Sequence, residues 1–148
     1  MKIYIINGPN LNMLGVREPA KYGRISYKDL LIKISAHCAR LGVTPVFYQS
    51  NHEGELVDKI QEAYFENADG IVINPGAYTH TSIALLDAVR AVSLPTVEVH
   101  ISKLEEREDF RQISYIREAC IKTISGHGTD GYNEAVDFLY EYVNNRKK

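Results

Sequence analysis

A single α/β domain, with five parallel strands covered by helices on both faces, is the fold class this sequence predicts. Two observations lead there. Short apolar β-type runs alternate with segments of helical periodicity along the whole chain. The length, 148 residues, suits one compact domain, and no repeat, linker or low-complexity stretch divides it, so residues 1–148 are read as one unit.

Each element has its own signal. Residues 3–6 are the first strand. Ser26 then supplies an N-cap and Asp29 an acidic first turn. Tyr27, Leu30, Leu31, Ile34, Cys38 and Leu41 recur at helical spacing until Gly42 stops the helix. Residues 43–48 form the second strand. Residues 53–67 form a helix whose apolar positions are Leu56, Val57, Ile60, Tyr64 and Phe65. Strand three is 70–73, followed by a small-residue helix over 81–92 with Thr79 and Thr81 as caps. Strand four is 95–99, a short charged helix spans 104–110, and strand five is 119–125. The last helix is 133–144, with Val136, Leu139, Tyr140 and Val143 inward.

Right-handed crossovers put helices on both faces of such a sheet. The usual five-stranded order is flavodoxin-like, 2-1-3-4-5, which opens a crevice at the carboxyl ends of strands one and three. Polar residues concentrate at those ends. Asn7, Asn10, Asn12, Arg17 and Tyr22 follow strand one, in a loop far longer than a strand-to-helix connection needs. Gln49 to Gly54 follow strand two, Asn74 to Ser82 follow strand three, and His100, Ile101 and Ser102 follow strand four with Arg107 and Arg111 close behind. Gly126-His-Gly128 follows strand five and reads as a turn more readily than as a phosphate cradle. A site at this end of the sheet is expected.

Exclusion narrows its chemistry. The sequence has no G-x-S-x-G elbow, no Walker phosphate loop and no G-x-G-x-x-G after strand one. Glu98 and His100 share a strand face, yet no third ligand is spaced to complete a metal site. A net charge of −2 lacks the basic face that nucleic acid needs, and no apolar run approaches membrane-spanning length. The opening residues read as strand and lack a signal-peptide apolar region, and Cys38 and Cys120 read as reduced thiols, so a cytoplasmic protein is expected. What remains is amides, hydroxyls, imidazoles, arginines and a loop tyrosine, a set suited to a small polyhydroxylated acid. A flavin-binding relative and a non-catalytic binder of a hydroxy acid stay open at this level.

Several ordered motifs then agree. They are Asn7-Gly-Pro-Asn-Leu-Asn12, Leu14-Gly-Val-Arg-Glu-Pro19 with Tyr22-Gly23, Gln49-Ser-Asn-His-Glu-Gly-Glu-Leu56, Asn74-Pro-Gly-Ala-Tyr-Thr-His-Thr-Ser82, Glu98-Val-His-Ile-Ser102, Arg107-Glu-Asp-Phe-Arg111 and Ser114-Tyr115. In these the chain resembles the type II 3-dehydroquinate dehydratases over essentially its whole length. The resemblance implies a shikimate-pathway hydro-lyase that converts 3-dehydroquinate to 3-dehydroshikimate through an enolate, with no metal and no cofactor. It implies a homo-oligomer, a dodecamer built as a tetramer of trimers. The long loop becomes a lid that delivers Tyr22 as base, with Arg17 favouring its phenolate. Asn10 would stabilise the enolate through a held water. His100 would be the general acid, oriented by Glu98. Asn74, Ser102 and the backbone N–H groups of Ile101 and Ser102 would hold the carboxylate, and His80 and Arg111 the ring hydroxyls. Asp87 would reach the site of an adjacent subunit. The chain departs from the family pattern at Leu86, Lys103, Glu105 and His127, which bears on subunit contacts and the rim of the site.

An enolate route needs no Schiff base, and no lysine is among the residues given a role here. Borohydride added during turnover should therefore leave the protein mass unchanged; a mass increase equal to trapped substrate would contradict the enolate route.

Overall fold

A computed structural model describes residues 1–16, 20 and 24–148. Five strands, β1 (Lys2–Asn7), β2 (Thr44–Gln49), β3 (Gly70–Asn74), β4 (Thr96–His100) and β5 (Lys122–Ser125), form one parallel sheet in the order β2-β1-β3-β4-β5. The expected flavodoxin-like order is therefore the observed one. Among the described residues four helices cover it: α1 (Tyr27–Leu41), α2 (Glu53–Phe65), α3 (Ile83–Val92) and α4 (Asp130–Arg146).

β1 explains why both faces need cover. Ile3 and Ile5 pack on one face with α1 and α4, through Leu30, Ile34, Cys38, Val136 and Leu139. Tyr4 and Ile6 pack on the other with α2 and α3, through Leu56, Ile60, Leu85 and Val89. Side chains alternate along a strand, so a run apolar at every position requires two apolar layers. Each such side chain contributes about 1.5–3 kcal/mol when taken from water. No helix among the described residues is long and apolar enough to cross a membrane.

The first helix begins and ends as its sequence predicts. Ser26 and Asp29 form a reciprocal capping box, and Gly42 closes the helix at φ 73°. Elsewhere boundaries move. α3 starts at Ile83 with Ser82, not Thr79 or Thr81, as its N-cap: the Ser82 hydroxyl accepts from the Leu85 N–H at 3.0 Å. Residues 76–80 form a separate 3₁₀ turn, and Thr79 is buried for a different purpose. The charged helix expected over 104–110 is two short 3₁₀ turns, Leu104–Glu106 and Asp109–Arg111. β5 begins only at Lys122, because Ile116–Ala119 is another 3₁₀ turn. Tyr64 and Phe65 are exposed rather than inward, since they fall at the end of α2 where its apolar stripe has run past the sheet.

The loops after β1 and β3 meet at the switch point of the winding. The Gly8 N–H donates to the Asn74 carbonyl at 2.8 Å, and a Cβ on Gly8 would lie 2.3 Å from the Pro75 carbonyl oxygen. Gly76 approaches from the other side: its Cβ would lie 2.9 Å from the Pro9 oxygen, at a φ of 60°. These two glycines let the loops touch backbone to backbone. Gly8→Ala should cost about 1–3 kcal/mol by forcing them apart, seen as a thermal midpoint lowered by roughly 3 °C or more. An unchanged midpoint would show that the loops tolerate separation.

Candidate active site

The crevice at this switch point is a cavity of about 130 Å³ lined by Asn10, Asn74, His80, His100, Ile101, Ser102 and Arg111, together with Arg107 and the loop backbone around Pro9 and Gly76. The first seven are residues singled out in the sequence, and the structure brings them together. Glu98 lies behind His100, fully buried. Asp87 does not join them; it sits on the exposed face of α3. Arg17 and Tyr22 lie outside the described residues.

Each lining group is held from behind. Asn10 adopts the left-handed conformation, at φ 70°, which Asn tolerates better than most residues. Its N–H donates to Asn51 Oδ1 at 3.0 Å, and Gln49 Nε2 donates to the same oxygen. The motif after β2 thus braces the β1 loop and does not line the cavity. Asn74 is set by a buried chain of polar groups. The Tyr132 hydroxyl, fully buried on α4, donates to Asn7 Oδ1 at 2.6 Å and accepts from Asn74 Nδ2 at 2.9 Å. The Gly76 N–H donates to Asn74 Oδ1 at 3.1 Å. A phenol has one proton, so its gift to Asn7 fixes which end of Asn74 faces it. One Nδ2 hydrogen of Asn74 remains beyond that bond. Burial pushes the Tyr132 phenol well above its ordinary range, so it stays neutral.

The backbone after β4 is turned by the segment after β5. The Gly126 N–H donates to the His100 carbonyl and the Gly128 N–H to the Ile101 carbonyl. In a trans peptide the next N–H points opposite to the carbonyl. The Ile101 and Ser102 N–H groups are therefore aimed away from the Gly126–Gly128 turn. This accounts for the two glycines as a turn, at φ 83° and 62°, with their N–H groups spent on the His100 and Ile101 carbonyls and not on a phosphate. Arg107 Nη1 donates to the Ser102 hydroxyl at 3.1 Å, and Arg111 Nε to Glu108 Oε2 at 2.7 Å. Arg107 was visible in the sequence as a trailing arginine but received no role there; its place in the cavity comes from the two 3₁₀ turns.

His100 and Glu98 form the most tightly organised part. His100 Nε2 donates to Glu98 Oε2 at 2.5 Å, leaving Nδ1 as the ring nitrogen available to the cavity. Ser114 Oγ lies 2.5 Å and Thr79 Oγ1 3.1 Å from the same carboxylate oxygen, with 2.6 Å between the two hydroxyls. Two hydroxyl protons cannot serve three contacts, so one contact in this triangle lacks a proton of its own. Arg117 Nε and Thr123 Oγ1 donate to the other oxygen, Oε1, at 2.9 and 2.8 Å. Burial pushes the Glu98 carboxyl up, but the hydrogen bond and charge of His100 and the donors of Arg117 and Ser114 outweigh it. The net effect holds Glu98 well below the usual carboxylate range. Thr79, Ser114, Arg117 and Thr123 arrive from four separate segments, and only the fold reveals that they share one partner.

His80 differs. Its Nδ1 donates to the Ile113 carbonyl at 2.6 Å. Burial and the positive charges of His100, Arg111 and Arg107 pull its pKa below 6.5, against the opposing pull of the Ile113 carbonyl. A neutral His80 presents Nε2 as an acceptor. Among the described residues there is no group of three or more His, Cys, Asp and Glu able to hold a metal ion.

Comparisons with known proteins agree on one family. The model for dehydroquinase class II matches residues 1–140. A 3-dehydroquinate dehydratase of Caldicellulosiruptor bescii is 54% identical over 142 residues, spanning 96% of this chain and 98% of that protein. One from Fusobacterium nucleatum is 54% identical over 146 residues, spanning 97% and 99%. The crystal structure of type II dehydroquinase from Butyrivibrio crossotus superposes with a TM-score of 0.93 at 53% identity, over 94% of this chain and 97% of that one.

The lowered pKa of His80 has a consequence for stability. The unfolded chain binds a proton at His80 that the folded protein refuses, so its contribution is present above the unfolded value of 6.5 and lost as pH falls through the folded value. His80→Asn, whose amide can still donate to Ile113, should lose less stability than the parent between about pH 7 and pH 5. Thermal midpoints across that range check it; parallel curves would contradict the assigned protonation of His80.

Proposed function

The chain belongs to the class II dehydroquinase family, and on that footing we propose that it removes water from 3-dehydroquinate by anti elimination through an enolate, giving 3-dehydroshikimate. The observation that carries this reading is the cavity: seven residues chosen from the sequence line it, with an ionised Glu98 behind His100.

Tyr22, as phenolate, takes the proton from the carbon beside the ketone. The C–H electrons pass into the enolate, and Asn10 stabilises the developing charge through a held water. Collapse of the enolate expels the hydroxyl, which takes a proton from protonated His100 and leaves as water. Tyr22 then holds one proton too many and His100 one too few, so a proton must pass between them before the next turnover. Arg17 favours the phenolate by its charge, since a phenol otherwise titrates near ~10. The substrate carboxylate is held by Asn74, Ser102 and the N–H groups of Ile101 and Ser102; the orientation of those peptides, turned by Gly126 and Gly128, supports this. His80 and Arg111 hold the ring hydroxyls, a neutral imidazole accepting and a guanidinium donating. The working form is a homo-oligomer, a dodecamer of four trimers. In it Asp87 reaches the site of a neighbour, which is consistent with its exposed position outside its own chain's cavity.

The conjugated enone product absorbs in the ultraviolet, so turnover of 3-dehydroquinate is followed directly. Tyr22→Phe should lower kcat by about 10²–10⁴-fold while leaving fold and substrate binding intact. Turnover close to that of the parent would falsify the assignment of Tyr22 as base.

A further inference from the structure

Glu98 has two faces. Oε2 meets His100, and Oε1 meets the guanidinium of Arg117 at 2.9 Å and the hydroxyl of Thr123 at 2.8 Å. The carboxylate is fully buried, whereas the Arg117 side chain is 41% exposed. Arg117 comes from the 3₁₀ turn before β5 and lines a second surface cavity together with Lys122, Thr123, His127 and Glu134. It touches no part of the crevice that holds His100. The result is a row of three groups, imidazole, carboxylate and guanidinium, running from the site to a second surface cavity.

That row has an electrostatic consequence. A buried carboxylate paired with an imidazole alone would hold the imidazole in its protonated form, because loss of that proton would strand an uncompensated anion. Arg117 supplies a permanent cation on the far oxygen, so Glu98 remains paired after His100 has given its proton away. Arg117 also opposes a charge on His100 directly. Both effects act in one direction.

We infer that Arg117 is a positioning residue acting through Glu98, and that its charge makes His100 a readier proton donor. This deepens the reading of His100 as the general acid and rests on it. Other charged and titratable groups around the pair are His80 from the 76–80 turn and Arg107 and Arg111 from the 104–111 segment, all lining the His100 cavity. The Cys120 thiol lies near Glu98, pushed up to about 12 by burial and by that carboxylate, hence neutral. α4, which also packs on β4, carries the buried neutral phenol of Tyr132. Among these described groups Arg117 is the one cation bonded to Glu98 itself.

The test is the titration of His100, read by NMR of its imidazole in the intact protein and assigned by the signal lost in His100→Gln. In Arg117→Met the midpoint should rise by roughly one pH unit, and the high-pH limb of kcat should move by the same amount while KM stays put. Arg117→Lys should restore both. Should Arg117→Met not fold, Arg117→Gln keeps an N–H donor and drops only the charge, and the same rise is expected. A midpoint unmoved in a folded, uncharged variant overturns the inference, whatever happens to thermal stability. If His100→Gln itself retains turnover, the general-acid reading fails, and the NMR titration still decides the electrostatic claim on its own.

Discussion

One carboxylate, that of Glu98 on β4, fully removed from water, is the constraint around which the carboxyl end of this fold is arranged. Stripping an ion of its hydration costs several kcal/mol even after the protein relaxes, and the cost is recovered only if its lone pairs are filled. Glu98 has them filled by His100, Thr79, Ser114, Arg117 and Thr123. Thr79 sits in the turn after β3, Ser114 after the two 3₁₀ turns, Arg117 in the turn before β5 and Thr123 within β5. The ionised group therefore holds those segments in register. Removing one donor from such a site typically costs more than the pair contributes, because the anion is left under-compensated. A structural demand of this kind and the needs of proton transfer coincide at His100, whose Nε2 is committed and whose Nδ1 is not.

The second organising device is close approach of backbone at the winding switch. Gly8 and Gly76 allow the loops after β1 and β3 to touch, and Asn7 and Asn74, neighbours across the β1–β3 ladder, are bridged by the Tyr132 hydroxyl from α4. The helix that covers one face of the sheet thus reaches through the core to set an amide on the rim of the cavity. Packing and site geometry are joined by a single phenolic proton.

Much of this was legible in the chain. β1 and β3 carry near-continuous apolar runs, which demand a sheet covered on both faces there, and 2-1-3-4-5 is the usual order for five such strands. The ends of β1, β3 and β4 carry the amides, imidazoles and hydroxyls, so the lining of the cavity could be chosen by strand-end position. Support for that lining was not legible. Tyr132 lies 125 residues from the Asn7 it bonds and falls just outside the helix expected over 133–144. Thr79 and Thr81 looked like caps because hydroxyls favour helix starts, yet the cap is Ser82 and the Thr79 hydroxyl is spent on Glu98. The 104–110 segment looked helical from its charge pattern but breaks into two turns, and that break carries Arg107 into the cavity. Local pattern reports what a residue prefers; a shared buried partner overrides it.

The tautomer of His100 carries the whole arrangement, because the proton on Nε2 is what commits that nitrogen to Glu98 and frees the other. Nitrogen NMR of the labelled imidazole, taken above its titration midpoint, reads that tautomer directly. The account predicts a protonated Nε2 and an unprotonated Nδ1. A neutral ring carrying its proton on Nδ1 would contradict it.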